Sequence, residues 1–188
     1  MKDSWRVDRR DEGSIDLALY VRDALALSDD VQPVVPNLTP SVAVTVPAGV
    51  DRNTVVEEWP GWWADLLQWC RDQGEHDPSE PVDDIAPALD GRPALRVALE
   101  VFKEPAARHR TAANRARARP TSNVTRVVKE LEQELGREAK PFHLVITEVS
   151  VNEPMWAPLT PTHVLASVGF TDTEAARPVL RKTLLPLA

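Results

Sequence analysis

From Val124 to Leu135 the apolar residues are Val124, Val127, Val128, Leu131 and Leu135, with polar residues between them. That spacing puts one greasy stripe on a helix, and Gly136 stops it. Ile15, Leu17, Leu19, Val21, Leu25 and Leu27 predict an earlier helix, capped by Ser14 and ending near Ser28. A third follows the tryptophans: Trp59, Trp63, Leu66, Leu67 and Cys70 share one face, with Trp62 and Trp69 on its flank. Pro60 is expected in its first turn and Gly74 just past its end. Asn53 or Thr54 should cap a short turn before it.

Other stretches alternate. Ser41–Val46 (SVAVTV) is β-branched at every second residue and predicts a strand. Leu95, Val97, Leu99 and Val101 alternate with Arg96 and Glu100, which predicts a second strand over 94–102. Phe142–Val151 and His163–Phe170 predict two more, joined by a proline-rich loop that carries Trp156. Pro105 and Pro120 bracket an alanine- and arginine-rich helical stretch. Thr171 and Glu174 have capping-box spacing for a final helix, whose apolar face is Val179, Leu180, Leu184 and Leu187. Pro178 either kinks this helix or opens its longer half. The order is α-β-α-β-α-α-β-β-α, an α/β (or α+β) chain with a mixed sheet of about four strands covered by helices. The chain reads as one globular domain over 1–188, with an acidic loop at 72–90 and a basic arm at 103–119.

Composition narrows the function classes. The single cysteine, Cys70, excludes an internal disulfide and a multi-cysteine zinc site. No apolar run is long enough for a bilayer, and the charged N-terminus lacks the apolar core of a secretory signal, so a cytosolic chain without membrane contact is expected. Its richness in alanine, valine, proline and arginine is what GC-rich bacterial coding favours. A formal charge of -7 repels nucleic acid on average. No phosphate-cradling glycine motif, nucleophile elbow or H-E-x-x-H pair is present.

Three groups of residues are candidates for function. The indoles come first: one helical stripe of tryptophans expects burial against a sheet, while Trp62 or Trp69 at its edge, with Trp156, could line a groove for an apolar, planar or cationic ligand. The arm comes second. Arg108, Arg115 and Arg119 fall on one helical face and Arg110 and Arg117 on the opposite one; they suit phosphate or the acidic loop, and no aromatic residue lies among them to stack on bases. Third, His76 in the acidic loop has carboxylates on both sides, but no two histidines have ligand-pair spacing, so no metal is assigned. His109 belongs to the arm, and His143 and His163 open strands. Glu100 and Lys103 fall on opposite faces of a regular strand, against a nuclease-like site.

No catalytic residue and no cofactor are therefore assigned. The expected function is a protein-binding or self-associating module, with Arg108, Arg110, Arg115, Arg117, Arg119, Trp62, Trp69 and Trp156 as contact candidates. Nucleic acid is disfavoured as a partner. The alternative is a metal-assisted enzyme acting on a phosphate-bearing substrate, with the arginines as anion clamp and carboxylates of 72–90 as metal ligands or base.

Overall fold

The computed structural model describes residues 5–28, 30–74, 89–115 and 123–188. The chain forms an α/β structure of five helices and a four-stranded mixed sheet. Its elements are β1 (Trp5–Arg10), α1 (Gly13–Ala24), α2 (Arg52–Gly74), α3 (Pro93–Arg115), α4 (Val124–Leu135), β2 (Phe142–Val149), β3 (Trp156–Thr160), β4 (His163–Ser167) and α5 (Ala176–Leu184), with a 3-10 turn at Phe170–Asp172 before α5. Two compact units divide it. The first comprises 1–11, 117–148 and 154–188, the second 12–116 and 149–153.

The first unit holds the sheet, ordered β1-β2-β4-β3. β1 lies parallel to β2 in the register Trp5↔Phe142 to Arg10↔Thr147, and the rings of Trp5 and Phe142 stack at 6.0 Å. β3 and β4 pair antiparallel, with an irregularity between Pro158 and Thr160. The stripe of α4 packs with Leu180 and Leu184 of α5 and with Leu144, Ile146, Val164 and Ala166 of the sheet to make one core. Along the outer side of α4 and α5 run three ion pairs: Arg126–Glu174 at 2.8 Å, Glu130–Arg177 at 2.6 Å and Glu134–Arg181 at 2.5 Å. Both partners climb in chain order, so the two helices run in the same direction.

The second unit is helical. Asp51 starts α2 by accepting from the backbone N–H groups of Asn53 and Thr54 and from the Thr54 hydroxyl. These bonds hold its carboxyl below the usual aspartate range. The helix then passes through Pro60, which is not in the first turn as expected but well inside. Trp59, Trp62, Trp63, Leu66, Leu67 and Cys70 are all buried. What covers them corrects the expectation of a sheet: α1 and α3 pack on α2, helix against helix.

Two expected strands are absent. Residues 94–102 are helical, because Leu95, Ala98, Leu99, Phe102, Ala106 and Ala113 form the buried face of α3 while Val97 and Val101 are 44% and 41% exposed. The alternation of large residues gave the wrong period; the alanines complete the right one. Pro105 lies inside this helix rather than opening one. Ser41–Val46 runs without turn or bend but pairs with no strand among the described residues. Conversely, the charged N-terminus supplies β1, and the Trp156 loop is strand β3. In α5, Pro178 falls in the first turn, and Thr173, not Thr171, contributes its hydroxyl to the Ala176 N–H at 3.3 Å.

Candidate binding groove and charged cluster

β3 is the last strand of its sheet, and α5 follows the sheet by way of the 3-10 turn. Between strand and helix lies a groove of about 600 Å³. Trp156, Pro158 and Pro161 form one side; Pro178, Val179, Pro186 and Leu187 form the other. Lys182 is its one charged lining residue. Trp156 is half-buried, its ring 5.8 Å from that of Phe170, so the indole is anchored on its inner side and presents area on the other. Its Nε1 is buried and meets no hydrogen-bond partner among the described residues. Pro158 sits in an edge strand, one of the few sheet positions proline accepts, and it removes a ladder donor there. The prolines and the indole keep the walls stiff, so little side-chain freedom is left to lose on binding.

The same unit contains a charged cluster at the ends of β1 and β2. Arg9 Nη2 donates to Glu148 Oε1 at 2.6 Å and its Nη1 to Asp172 Oδ1 at 3.3 Å. The Gly169 N–H also points to Glu148 Oε1, at 3.4 Å. Burial works against the Arg9 charge, but the hydrogen bond and attraction of Glu148, then Asp172, outweigh it and raise its pKa above that of an ordinary arginine. Elsewhere in the sheet, buried His163 of β4 shares a 2.9 Å hydrogen bond with the Thr147 hydroxyl of β2. Glu148 accepts from Arg9 and the Gly169 N–H, and Asp172 from Arg9 and the Thr171 hydroxyl, an arrangement that locks β1 to β2 and to the turn before α5. Sequence reasoning left out Arg9, Glu148 and Asp172, which stand far apart in the chain.

The second unit has a more polar hollow of about 570 Å³, where Arg22, Asp23, Asn37, Thr39, Ser41 and Asn152 meet Val42 and Val44. Arg22 is buried beside Asp23 at 2.7 Å and donates to the carbonyls of Val35 and Pro36, while Asp23 accepts from the Leu38 N–H at 2.7 Å. These two charges therefore staple residues 35–38 to α1.

The other candidate residues disperse. Trp62 lies in the interior of the helical unit, and Trp69 on the same helix is half-buried. Neither borders the groove that holds Trp156, whose walls come from residues 156–187. Arg108 is exposed and pairs with Glu104 at 3.4 Å. Arg110 is half-buried, with its guanidinium over Gly13, where a Cβ would collide with it. Arg115 is exposed at the end of α3. Arg117 and Arg119 lie outside the described residues, as do His76 and most of the acidic loop. At the start of α3, Arg92, just before the helix, pairs with Asp65 at 2.6 Å, and Arg96, in its first turn, pairs with Asp90 at 3.4 Å. Among the described residues no group of three His, Cys, Asp or Glu side chains is placed to hold a metal ion, and no helix is long and apolar enough to cross a membrane.

No family model matches the chain, and neither a curated protein nor a solved structure matches it.

Proposed function

We propose that this chain is a protein-binding module and that the groove between β3 and α5 is its contact surface. The observation that carries the reading is the lining itself: a half-exposed tryptophan and four prolines on stiff walls, with one lysine at the side. Tryptophan in a partly open, apolar recess is the residue type that most often dominates binding energy. Pro158 weakens the edge of β3 as a template for an added strand, which favours recognition by side chains inserted into the groove over backbone pairing. The ligand that fits is a short peptide segment with one or two large apolar side chains and an acidic residue placed to meet Lys182.

An array of short peptides, varied in apolar and acidic content and probed with the purified chain, tests this. Retained peptides should be those carrying a large apolar residue near Asp or Glu. Trp156→Ala should weaken their capture at least tenfold, and Lys182→Glu should shift preference from acidic to basic neighbours. Peptide binding indifferent to both substitutions, or no selection at all, would remove the groove as the contact surface.

A further inference from the structure

We propose that residues 41–46 pair with the same segment of a second copy, as an antiparallel two-stranded ribbon whose twofold axis passes through Val44. The inference rests on a different part of the chain from the groove and stands or falls separately from it.

The segment SVAVTV has high strand propensity: valine at every second position, and no proline or charge within it. It sits in an uncharged stretch, residues 31–50, of a chain that is 27% charged. Exposed strands are normally guarded by charges, prolines or bulges. Here Pro40 and Pro47 limit the length, and the six residues between them have no guard. The chain runs through them without turn or bend, and Val44 and Val46 are 67% and 51% exposed.

Backbone alternation then decides which edge is open. The Thr45 N–H donates to the Ala24 carbonyl at 2.7 Å. In an extended chain the polar groups of residues 41, 43 and 45 face that side, and those of 42, 44 and 46 face away. No partner among the described residues meets the backbone of Val42, Val44 or Val46. These are polar groups on a segment whose side chains offer apolar area, the combination that strand addition satisfies.

A second copy is the occupant because the pattern is its own complement. Turned about Val44, an antiparallel copy sets Val44 opposite Val44 and Val42 opposite Val46. All three are residues whose N–H and C=O point outward, so each opposed pair is of the hydrogen-bonded kind. The same turn places all six valines on one face of the ribbon, where cross-strand β-branched pairs add to the backbone bonds. The symmetry is isologous and closed, which yields a dimer and not a fibre. A ribbon of this length is a weak interface, so the dimer should be concentration-dependent.

Sedimentation velocity on the full chain, from low micromolar to high micromolar concentration, should show a monomer passing into a dimer. Val44→Lys sets two like charges across the axis and should weaken the dimer at least tenfold; Val44→Pro, which removes the central donor, should do the same. Circular dichroism of both variants should match the parent, because position 44 is exposed. Under mild oxidation Val44→Cys should cross-link to itself, whereas Thr45→Cys, whose side chain leaves the opposite face and lies off the axis, should not; native Cys70 is buried. A parent chain that stays monomeric throughout overturns the proposal. So does a dimer that survives both substitutions at position 44, or cross-linking no greater at 44 than at 45.

Discussion

The indole N–H of Trp59, on α2, donates to the carbonyl of Ala18, on α1, across 3.1 Å, in the interior of the helical unit. The ring also stacks on Trp63 at 5.5 Å, tilted by only 8°. One side chain thus supplies buried area, an aromatic contact and a bond between two helices. Trp59→Ala should destabilise the chain by about 3–5 kcal/mol, as large core truncations of aromatics do. Trp59→Phe keeps most of the area and loses the donor, so about 1–2 kcal/mol is expected. Urea unfolding followed by far-ultraviolet circular dichroism measures both. Equal losses for the two variants would mean that the bond to Ala18 carries the whole contribution and the ring's packing adds nothing.

The ion pair of Arg9 and Glu148 makes a different prediction. Glu148 is 6% exposed and Arg9 17%, so neither charge has much access to water. Removing the guanidinium in Arg9→Met takes the opposite charge from a buried carboxylate and should cost about 3 kcal/mol, the low end for such a break. Arg9→Met combined with Glu148→Met removes both charges and should recover most of that loss. A double-mutant cycle measures the coupling. A single variant that loses less than about 1 kcal/mol would show the cluster to be solvated and unimportant for stability.

How far these elements could be read from the chain depends on what each one packs against. α4 was legible because its large apolar residues follow one period and no other, and Gly136 marks the end. β2 was legible from its β-branched residues, Val145, Ile146, Thr147 and Val149. The start of α3 was not, since Leu95, Val97, Leu99 and Val101 satisfy the strand period as well as Leu95, Ala98, Leu99 and Phe102 satisfy the helical one. Only burial of the small alanines separates them. β1 carries four charged residues in six, and what makes it a strand is the neighbour β2, far away in sequence. SVAVTV has the propensity of a strand but forms none, because the described chain offers it no partner. In the groove, Trp156 was singled out by type, whereas Pro178, Val179 and Lys182 join it only through the juxtaposition of α5 with β3.

The ladder on α4 and α5 should make stability depend on acid and salt. Hydrogen bonding to Arg181 holds the Glu134 carboxyl below its ordinary value of 4.5, and Arg126 does the same for Glu174. A carboxyl with a depressed folded pKa binds fewer protons folded than unfolded. Its contribution is complete above the unfolded value and is lost as pH falls through the folded one. The melting temperature should therefore drop as pH is lowered below about 4.5, and the drop should be shallower in a Glu134→Gln/Glu174→Gln variant. Both carboxylates lie at the surface, so the difference between parent and variant at neutral pH should be small and should shrink further in high salt. Thermal melts over pH and salt test each part.

Gly136 offers the cleanest test of backbone strain. It ends α4 with φ at 64° and ψ at 22°, the left-handed conformation, and its N–H closes on the Glu132 carbonyl. The next residues then turn back, with the Ala139 N–H bonded to the Glu132 carboxylate at 3.0 Å, before β2 begins. A Cβ placed on Gly136 would meet no atom within 4 Å. Any loss on substitution is therefore a backbone cost and not a clash. Gly136→Ala should lower stability by about 1 kcal/mol, and Gly136→Asn by less, because asparagine tolerates this region better. Gly136→Ser, with its small side chain in the same open space, should resemble alanine more than asparagine. Thermal unfolding of the three variants gives the ranking. A much larger loss for alanine would mean that the turn must move to admit a side chain, contrary to the space around it.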